Sequence, residues 1–510
     1  MRDFPDSLPI KTLQACHPDY TARMAALQCI DDLCVGGHQI EAKKRQYLKK
    51  RPGEDPKLYE IRLDRFTYTN VLGQAISQQV SKLKSGSLSV NAVDYDEAFW
   101  QQFREDTNRD GRDEDTLLSE VLRCGLKFQQ VYLQVDKPAI AVQPQNKAQE
   151  EALGIRPYVL LYDARHAINY GPEWVKFRQF NVVSDPLAVP VHQATWKFVT
   201  DEAIAVYQAF VRFNAEGKIV AILDDQGNEK ESVDPEKTLI RRSRLVLHGL
   251  GRMPVVRCDI PDDLWATNQC YLKALEHLNL ENSRYDTSMM SGYVQRTYEP
   301  FRQPDNDLGE TFVDAEDEID TGNAFIVKGS FGFSEATGSA VKTVSEHLQE
   351  LRSDIRDIIG LGGNASATRE AVQQSGTSKK MDFVIQEMIL RSYGSILTAT
   401  YQDLLQMVGA MAGHDRGKLA EISCSGFDSF DVDSLDSAIE VSELISTFED
   451  RLPPTALKLW WQSVSLLLAR NANADQRQAI ADEIERIFGV DFDAEDDEEG
   501  DEELKREGLR

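Results

Sequence analysis

The chain has 510 residues, of which 41% are hydrophobic and 28% charged, with a formal net charge of −27. This length and balance give room for roughly three or four domains and a sizeable core, and they exclude wholesale disorder. The acidity excludes a protein that coats itself in cations to hold nucleic acid, and no apolar run approaches the ~20 residues that span a bilayer. The opening MRDFPDSLPIKTL lacks the apolar segment of a signal peptide. Cys16, Cys29, Cys34, Cys124, Cys258, Cys270 and Cys424 are odd in number and scattered, without C-x-x-C spacing. They are read as reduced thiols in a cytosol-like compartment, and no metal site is expected from them.

From Pro18 to about Leu83 apolar residues recur at helical spacing, among them Met24, Leu27, Cys29 and Ile30, with a break at Arg51-Pro52-Gly53. Asp55-Pro56 starts a new helix carrying Leu58, Ile61, Phe66, Val71, Ala75 and Val80 on one face. A second helical pair is expected over 96–104 and 113–126. VYLQVD (131–136) alternates and stops before Pro138, as a strand does. Between Pro157 and Pro254 lie PYVLLYDARHAINY, VKFRQFNVV, ATWKFVT, AVYQAFVRF, KIVAILDD and SRLVLHGL. These short runs, bounded by turn residues, predict an antiparallel or mixed sheet. Strands and helices do not alternate here, so a doubly wound fold is not expected.

At Pro261 the pattern becomes helical again. Asp262-Asp263 are placed to cap a helix with Tyr271, Leu275 and Leu278, running to about Met290. Residues 292–338 are turn-rich and β-like. Val341, Val344, Leu348, Leu351, Ile355 and Ile358 then step by 3, 4, 3, 4 and 3. That is a narrow seam suited to near-parallel helical neighbours, about 28 Å long at ~1.5 Å per residue. It is either internal core or a contact between subunits. GLGGNASATREAVQQSG (360–376) joins it to a long helix over 377–412, and this joint has almost no large apolar residue. A strand-like piece (427–432), three shorter helices (435–448, 454–469 and 474–488) and the acidic tail DFDAEDDEEGDEEL complete an α+β chain.

G-x-x-x-x-G-K-[ST], H-E-x-x-H and G-x-S-x-G are absent, and the eight histidines are dispersed. The reading is of a protein that is not an enzyme, with no cofactor and no metal. Gly360, Gly362 and Ala365 match the letters of a dinucleotide fingerprint, but a helix precedes them where a strand is required. DTNRDG (106–111) matches the first half of an EF-hand loop. Its closing Glu position falls on Leu117, and Asp, Asn and Gly also make plain turns.

The order of parts is a body of helices and strands, a helix, a small β-rich insert, a second helix, a polar glycine loop, a long helix and a terminal helical set. This order resembles the portal proteins of tailed bacteriophages. YLKKRPGEDPKLYEIRLDRFTYTNVLGQ (47–74), DTNRDGRDEDTLLSEVLRCGLKFQQVYLQVDKP (106–138), RPYVLLYDARHAINY (156–170) and LGRMPVVRCDIPDD (250–263) are similar to one portal-like phage family in particular. The resemblance implies a phage portal fold: a wing over 1–260, stem helices over 261–290 and 341–359, a clip over 291–340 and a tunnel loop over 360–376. A long wing helix (377–412), a return strand (413–433), a helical crown (434–489) and an acidic tail (490–510) follow. It further implies a homo-oligomeric ring of about twelve copies, made in the host cytoplasm and placed in the virion at one capsid vertex, without contact with a membrane. Double-stranded DNA would pass through it during packaging and ejection. The terminase large subunit, the major capsid protein and neck, adaptor or tail proteins would be its partners.

Under the same resemblance, stem packing falls to the seam residues with Tyr271, Leu275 and Leu278. Phe325, Ile326, Phe331 and Phe333 would dock partners at the clip, or form a small β core within it. The DNA channel falls to Gly360, Gly362, Gly363, Asn364, Ser366, Thr368, Arg369, Gln373, Gln374, Lys379 and Lys380. Glycine lets such a loop bend and approach closely. A neutral or acidic wall lets a duplex slide where a basic one would hold it, with repulsion confined to about 8 Å by salt. The competing expectation is an intracellular calcium-binding or scaffold-type interaction protein built on residues 106–111.

Overall fold

The strand VYLQVD is buried on both faces, and the structure, a computed structural model, places it between a sheet and a layer of helices. The described residues are 4–84, 88–91, 97–138, 155–184, 190–214, 217–224, 227–291, 295–300, 329–334, 339–360 and 376–427, with a few positions between 457 and 486. The chain divides into two units, Met1–Phe430 and Asp431–Arg510. The expected crown helices and acidic tail belong to the second unit and lie almost wholly outside the described residues.

The first unit is mixed α+β. Helices α1 (Ile10–Gln14), α2 (Pro18–Val35), α3 (Gly37–Ala42), α4 (Lys44–Tyr47), α5 (Pro56–Asp64), α6 (Val71–Lys84), α7 (Glu97–Glu105) and α8 (Glu114–Phe128) precede most of the strands. Their starts follow local chemistry. Asp55 accepts a hydrogen bond from the Lys57 amide (2.7 Å) ahead of Pro56, and Asp113 accepts one from the Thr116 amide (2.8 Å).

Strands β1 (Ser7–Pro9) and β2 (Leu88–Asn91) are short; β3 (Gln130–Asp136) pairs with β4 (Tyr158–Asp163). The run continues through β5 (Ala167–Gly171), β6 (Trp174–Val183), β7 (Val191–Thr200), β8 (Ala203–Phe213), β9 (Ile219–Leu223), β10 (Glu229–Ser232), β11 (Leu239–Leu247) and β12 (Val255–Asp259). An eight-stranded antiparallel sheet runs β1-β11-β8-β7-β6-β5, with β9 beside the second half of β8 and β10 beside β9. A smaller sheet runs β12-β3-β4.

Period-two alternation sorts the side chains into layers. Tyr132, Tyr162 and Val255 of the small sheet pack on Val175, Phe177, Val199 and Ile204 of the large one. Val131, Leu133, Val135 and Cys258 point the other way, into the helical core. The far face of the large sheet, with Ala194, Trp196 and Tyr207, is covered by Ile10, Leu13 and Tyr20. Buried Lys176 fixes that cover: its ammonium donates to the carbonyls of Thr12 (3.0 Å) and Ala15 (2.6 Å) just where α1 ends. Burial pushes its pKa down to about 8.

After β12 come helix α9 (Ala266–Ser291), strands β13 (Gln295–Pro300) and β14 (Gly329–Ser334), helix α10 (Ser339–Ile358), the 37-residue α11 (Gly376–Ala412), the short α12 (Arg416–Ala420) and strand β15 (Ser423–Gly426), which pairs with β2. One expectation is corrected here. Asp262-Asp263 do not cap α9, because a turn intervenes in which the Trp265 amide donates to Pro261 (2.9 Å). Asp262 instead accepts a hydrogen bond from Gln129 (2.5 Å). A strand forms over 423–426 and Phe427 leaves it with φ of 54°; the rest of the strand expected over 427–432 lies outside the described residues. All seven cysteines are free thiols. No helix among the described residues is long and apolar enough to cross a membrane.

Candidate functional site: the helical hairpin and its hinge

Helices α9 and α10 form an antiparallel hairpin whose far ends enter the β13–β14 ribbon, with Arg296 opposite Phe333 and Tyr298 opposite Phe331. Phe325 and Ile326 lie outside the described residues, and of Phe331 and Phe333 only the backbone is described. The seam divides along its length. Leu348, Leu351 and Ile355 are buried within their own chain, as is Leu278 of α9. Tyr271, Leu275 and Ile358 are partly buried against the same core. Val341 and Val344, nearest the ribbon, are only half-buried. Leu272, between the flanks of α9, is 61% exposed.

Polar contacts lock the hairpin. Lys273 pairs with Asp354 (2.5 Å), and Glu276 meets His347 (3.3 Å). At the centre, Arg352 Nε donates to Nε2 of buried His277 (2.9 Å), so the imidazole proton sits on Nδ1, 4.0 Å from Glu281. Glu281 accepts hydrogen bonds from the amide (2.9 Å) and hydroxyl (2.6 Å) of Thr69. Asn282 accepts from the Thr67 amide (3.0 Å) and donates to its carbonyl (2.9 Å). These bonds tie α9 to the segment before α6.

His277 has its pKa lowered to about 4, first by burial, opposed by Glu281 and aided by Arg352 and Arg284. Below about 6.5 the unfolded chain therefore takes up a proton that the folded chain refuses. Stability is full above that pH and falls as pH drops toward 4, by on the order of 2 kcal/mol. Urea unfolding at pH 7 and pH 4.5 should show this loss in the natural chain. The loss should be smaller by that amount in His277→Gln, whose amide can still accept from Arg352. Equal losses in both chains would remove His277 from the account.

The hinge begins at Gly360, which is buried and closes α10 with φ of 84°. A Cβ there would meet Ile389 at 3.1 Å. It is a helix stop set against α11, not an exposed wall residue. Gly362, Gly363, Asn364, Ser366, Thr368, Arg369, Gln373 and Gln374 lie outside the described residues. Lys379 and Lys380 stand in the first turns of α11, with side chains that are not described.

Residues 106–111 form a closed turn. The Asp106 carboxylate accepts from the Gly111 amide (2.9 Å) and is ion-paired with Arg156. Asn108 accepts from the amides of Asp110 (2.9 Å) and Arg112 (3.1 Å). A guanidinium thus occupies the side of Asp106 where a cation would be held, and Leu117, at the closing position, is fully buried. Among the described residues, no group of three or more His, Cys, Asp or Glu is placed to hold a metal ion.

One surface is invisible to motif and periodicity. KKRQYLKKR (43–51) holds six cations in nine residues of an acidic chain, where helical spacing marks only the end of a helix. Charge density is the signal that singles it out.

Neither a protein-family model nor any curated protein matches the chain in sequence. Among solved structures, the chain is similar to one from the virion of a native gene transfer agent particle, at 10% identity and a TM-score of 0.38, over 83% of this chain and 94% of that one. It is also similar to a chain from the neck of an empty gene transfer agent particle, at 11% identity and a TM-score of 0.38, over 84% and 98%.

Proposed function

We propose that this chain is a portal-type subunit: a non-enzymatic protein that assembles into a ring and conducts double-stranded DNA at one vertex of a phage-like capsid. The observation that carries the reading is the hairpin. Its inner seam is satisfied within the chain, while Val341 and Val344 are only half-buried toward the ribbon and Leu272, beside the Lys273–Asp354 pair at the body end, is exposed. Apolar positions left open on a long hairpin suit neighbours that are copies of the same hairpin. The glycine-rich, polar character of residues 360–376 suits a segment that meets a passing duplex, and the fold-order resemblance supplies the functional context. In this reading the β13–β14 ribbon belongs to the end that docks the packaging motor, and later the neck or tail.

Mass measurement and negative-stain imaging of the purified full chain should give a closed ring of roughly a dozen copies; a stable monomer or dimer would sink the reading. Deleting residues 364–374 should leave the ring intact while sharply lowering the DNA packaged per capsid. Loss of assembly in that variant would make the loop a structural element instead. Calcium should leave the melting temperature unchanged, since Asp106 is already neutralised by Arg156.

A further inference from the structure

We propose that the surface formed by α5 and the turn before it, on one copy of the chain, seats against the outer face of α10 on the next copy. The contact is head-to-tail and repeats around the ring; it rests on the ring-forming reading above. Of the six cations in KKRQYLKKR, Lys43 is held by Asp32 (2.8 Å), Arg45 by Glu60 (2.6 Å), and Arg51 by Ser283 (3.0 Å) and Asp286 (3.2 Å). Lys44 is half-buried, and Lys49 and Lys50 are exposed. Next to them α5 exposes Leu58 (60%) and Ile61 (45%), three residues apart and so on one face. Turn and helix form a single rigid surface. Arg62 donates to the Lys49 carbonyl (2.8 Å), the Tyr59 hydroxyl donates to the Leu48 carbonyl (2.9 Å), and Arg62 is paired with Glu54 (2.8 Å). The result is an apolar centre whose rim carries Lys49, Lys50 and Lys57, with the exposed carboxylates of Asp55 at the start of α5 and of Glu60 and Asp64 further along it.

The complementary surface lies on α10. Glu346, Glu350 and Asp357 are exposed and fall on one helical face, away from the seam. Their in-chain pairs are exposed ones, such as Lys342–Glu346 at 3.8 Å, and so contribute little. Helix α9 separates the two surfaces. Asn279, Ser283 and Asp286 face Tyr47 and Arg51, whereas Lys273, Glu276 and His277 face α10. The basic and acidic surfaces therefore lie on adjoining sides of α9, with exposed Glu276 and Leu272 on the strip between. Two patches that complement each other but not themselves specify a heterologous contact, the kind that builds a ring where the rotation closes, rather than a two-fold dimer. In a chain of net charge −27, copies repel at long range, and a local contact of opposite sign sets their register.

The test uses the full chain and three variants: Lys49→Glu with Lys50→Glu, Glu346→Lys with Glu350→Lys, and all four together. Each double reversal should raise the protein concentration at half-assembly by about tenfold, and the quadruple variant should recover most of that loss. Circular dichroism and melting should match the natural chain, because all four side chains are exposed. If the natural chain forms rings and the doubles assemble equally well, or the quadruple is no better than the doubles, this contact is overturned and the ring reading stands. If the natural chain does not assemble, the ring reading itself fails and the contact fails with it. If the Lys49/Lys50 variant assembles normally but no longer retains a short DNA duplex that the natural chain binds, the patch serves nucleic acid and the proposal is overturned.

Discussion

Replacing Asp32 by alanine lowers the unfolding free energy by about 2–3 kcal/mol, the loss expected when a fully buried acceptor of several hydrogen bonds is removed while its half-buried partner Lys43 keeps some access to water. The Asp32 side chain is fully buried and accepts hydrogen bonds from four donors: Gln28 (3.1 Å), Gln39 (2.7 Å), Lys43 (2.8 Å to each oxygen) and the Tyr47 hydroxyl (2.5 Å). Burial alone would raise its pKa, but the bonds from Gln39, Lys43, Tyr47 and Gln28 hold it below the usual carboxylate value. The four donors come from α2, α3, the residue after it and α4, so one carboxylate gathers three helices. Without it, the Lys43 ammonium is left with no counter-charge beside a core that includes Ile40, Tyr47 and Leu48. The double variant Asp32→Ala, Lys43→Met separates this cause from simple loss of packing. It should regain a substantial part of the deficit, because the stranded charge goes too. A double variant as unstable as the single one in urea titration would show that the cavity, not the charge, dominates. Because Tyr47 fixes the start of the 48–55 turn, Asp32→Ala should also weaken any assembly made through Lys49 and Lys50.

Local signals were legible where neighbouring residues decide the outcome. Asp55-Pro56 and Asp113 start helices because their side chains bond amides two and three residues on, and the alternation of VYLQVD survives because both of its faces meet apolar layers. The 3-4-3-4-3 steps from Val341 give a helix of the expected extent, but they could not reveal that its two halves have different surroundings. That difference depends on how far the body reaches along the hairpin. Asp262-Asp263 looked like a cap because the residue types fit. A side chain more than a hundred positions away, Gln129, claims Asp262 instead. His277 is a lone histidine in sequence, and only Arg352, brought over by the hairpin, makes it a titrating lock. Phe427 continues an alternating pattern, yet its positive φ turns the chain out of the strand. In each case the missing information was a contact distant in sequence, which periodicity cannot carry.

Gly394→Ala lowers stability by about 3 kcal/mol, even though alanine is the better helix former by about 1 kcal/mol. Gly394 lies inside α11, and a Cβ built there falls 2.2 Å from the carbonyl oxygen of Phe427 and 2.6 Å from its Cβ. The obstacle is backbone, held by the β15 pairing with β2 and by the Thr398 hydroxyl, which donates to the Gly426 carbonyl (3.3 Å). It cannot rotate away, so either the returning strand must lift from α11 or the helix must bend. Both movements would open the core around Tyr393 and Leu397, each 1% exposed. Gly409, fifteen residues on in the same helix, supplies the control. Its Cβ would also meet an atom at 2.2 Å, but that atom is Cδ2 of Leu419, the far end of a flexible side chain. Gly409→Ala should cost well under half as much, because a rotamer change relieves the clash and the gain in helix propensity remains. Thermal and urea unfolding of the two variants decide the matter. Equal losses would mean that close approach of the Phe427 backbone is not what requires glycine at 394.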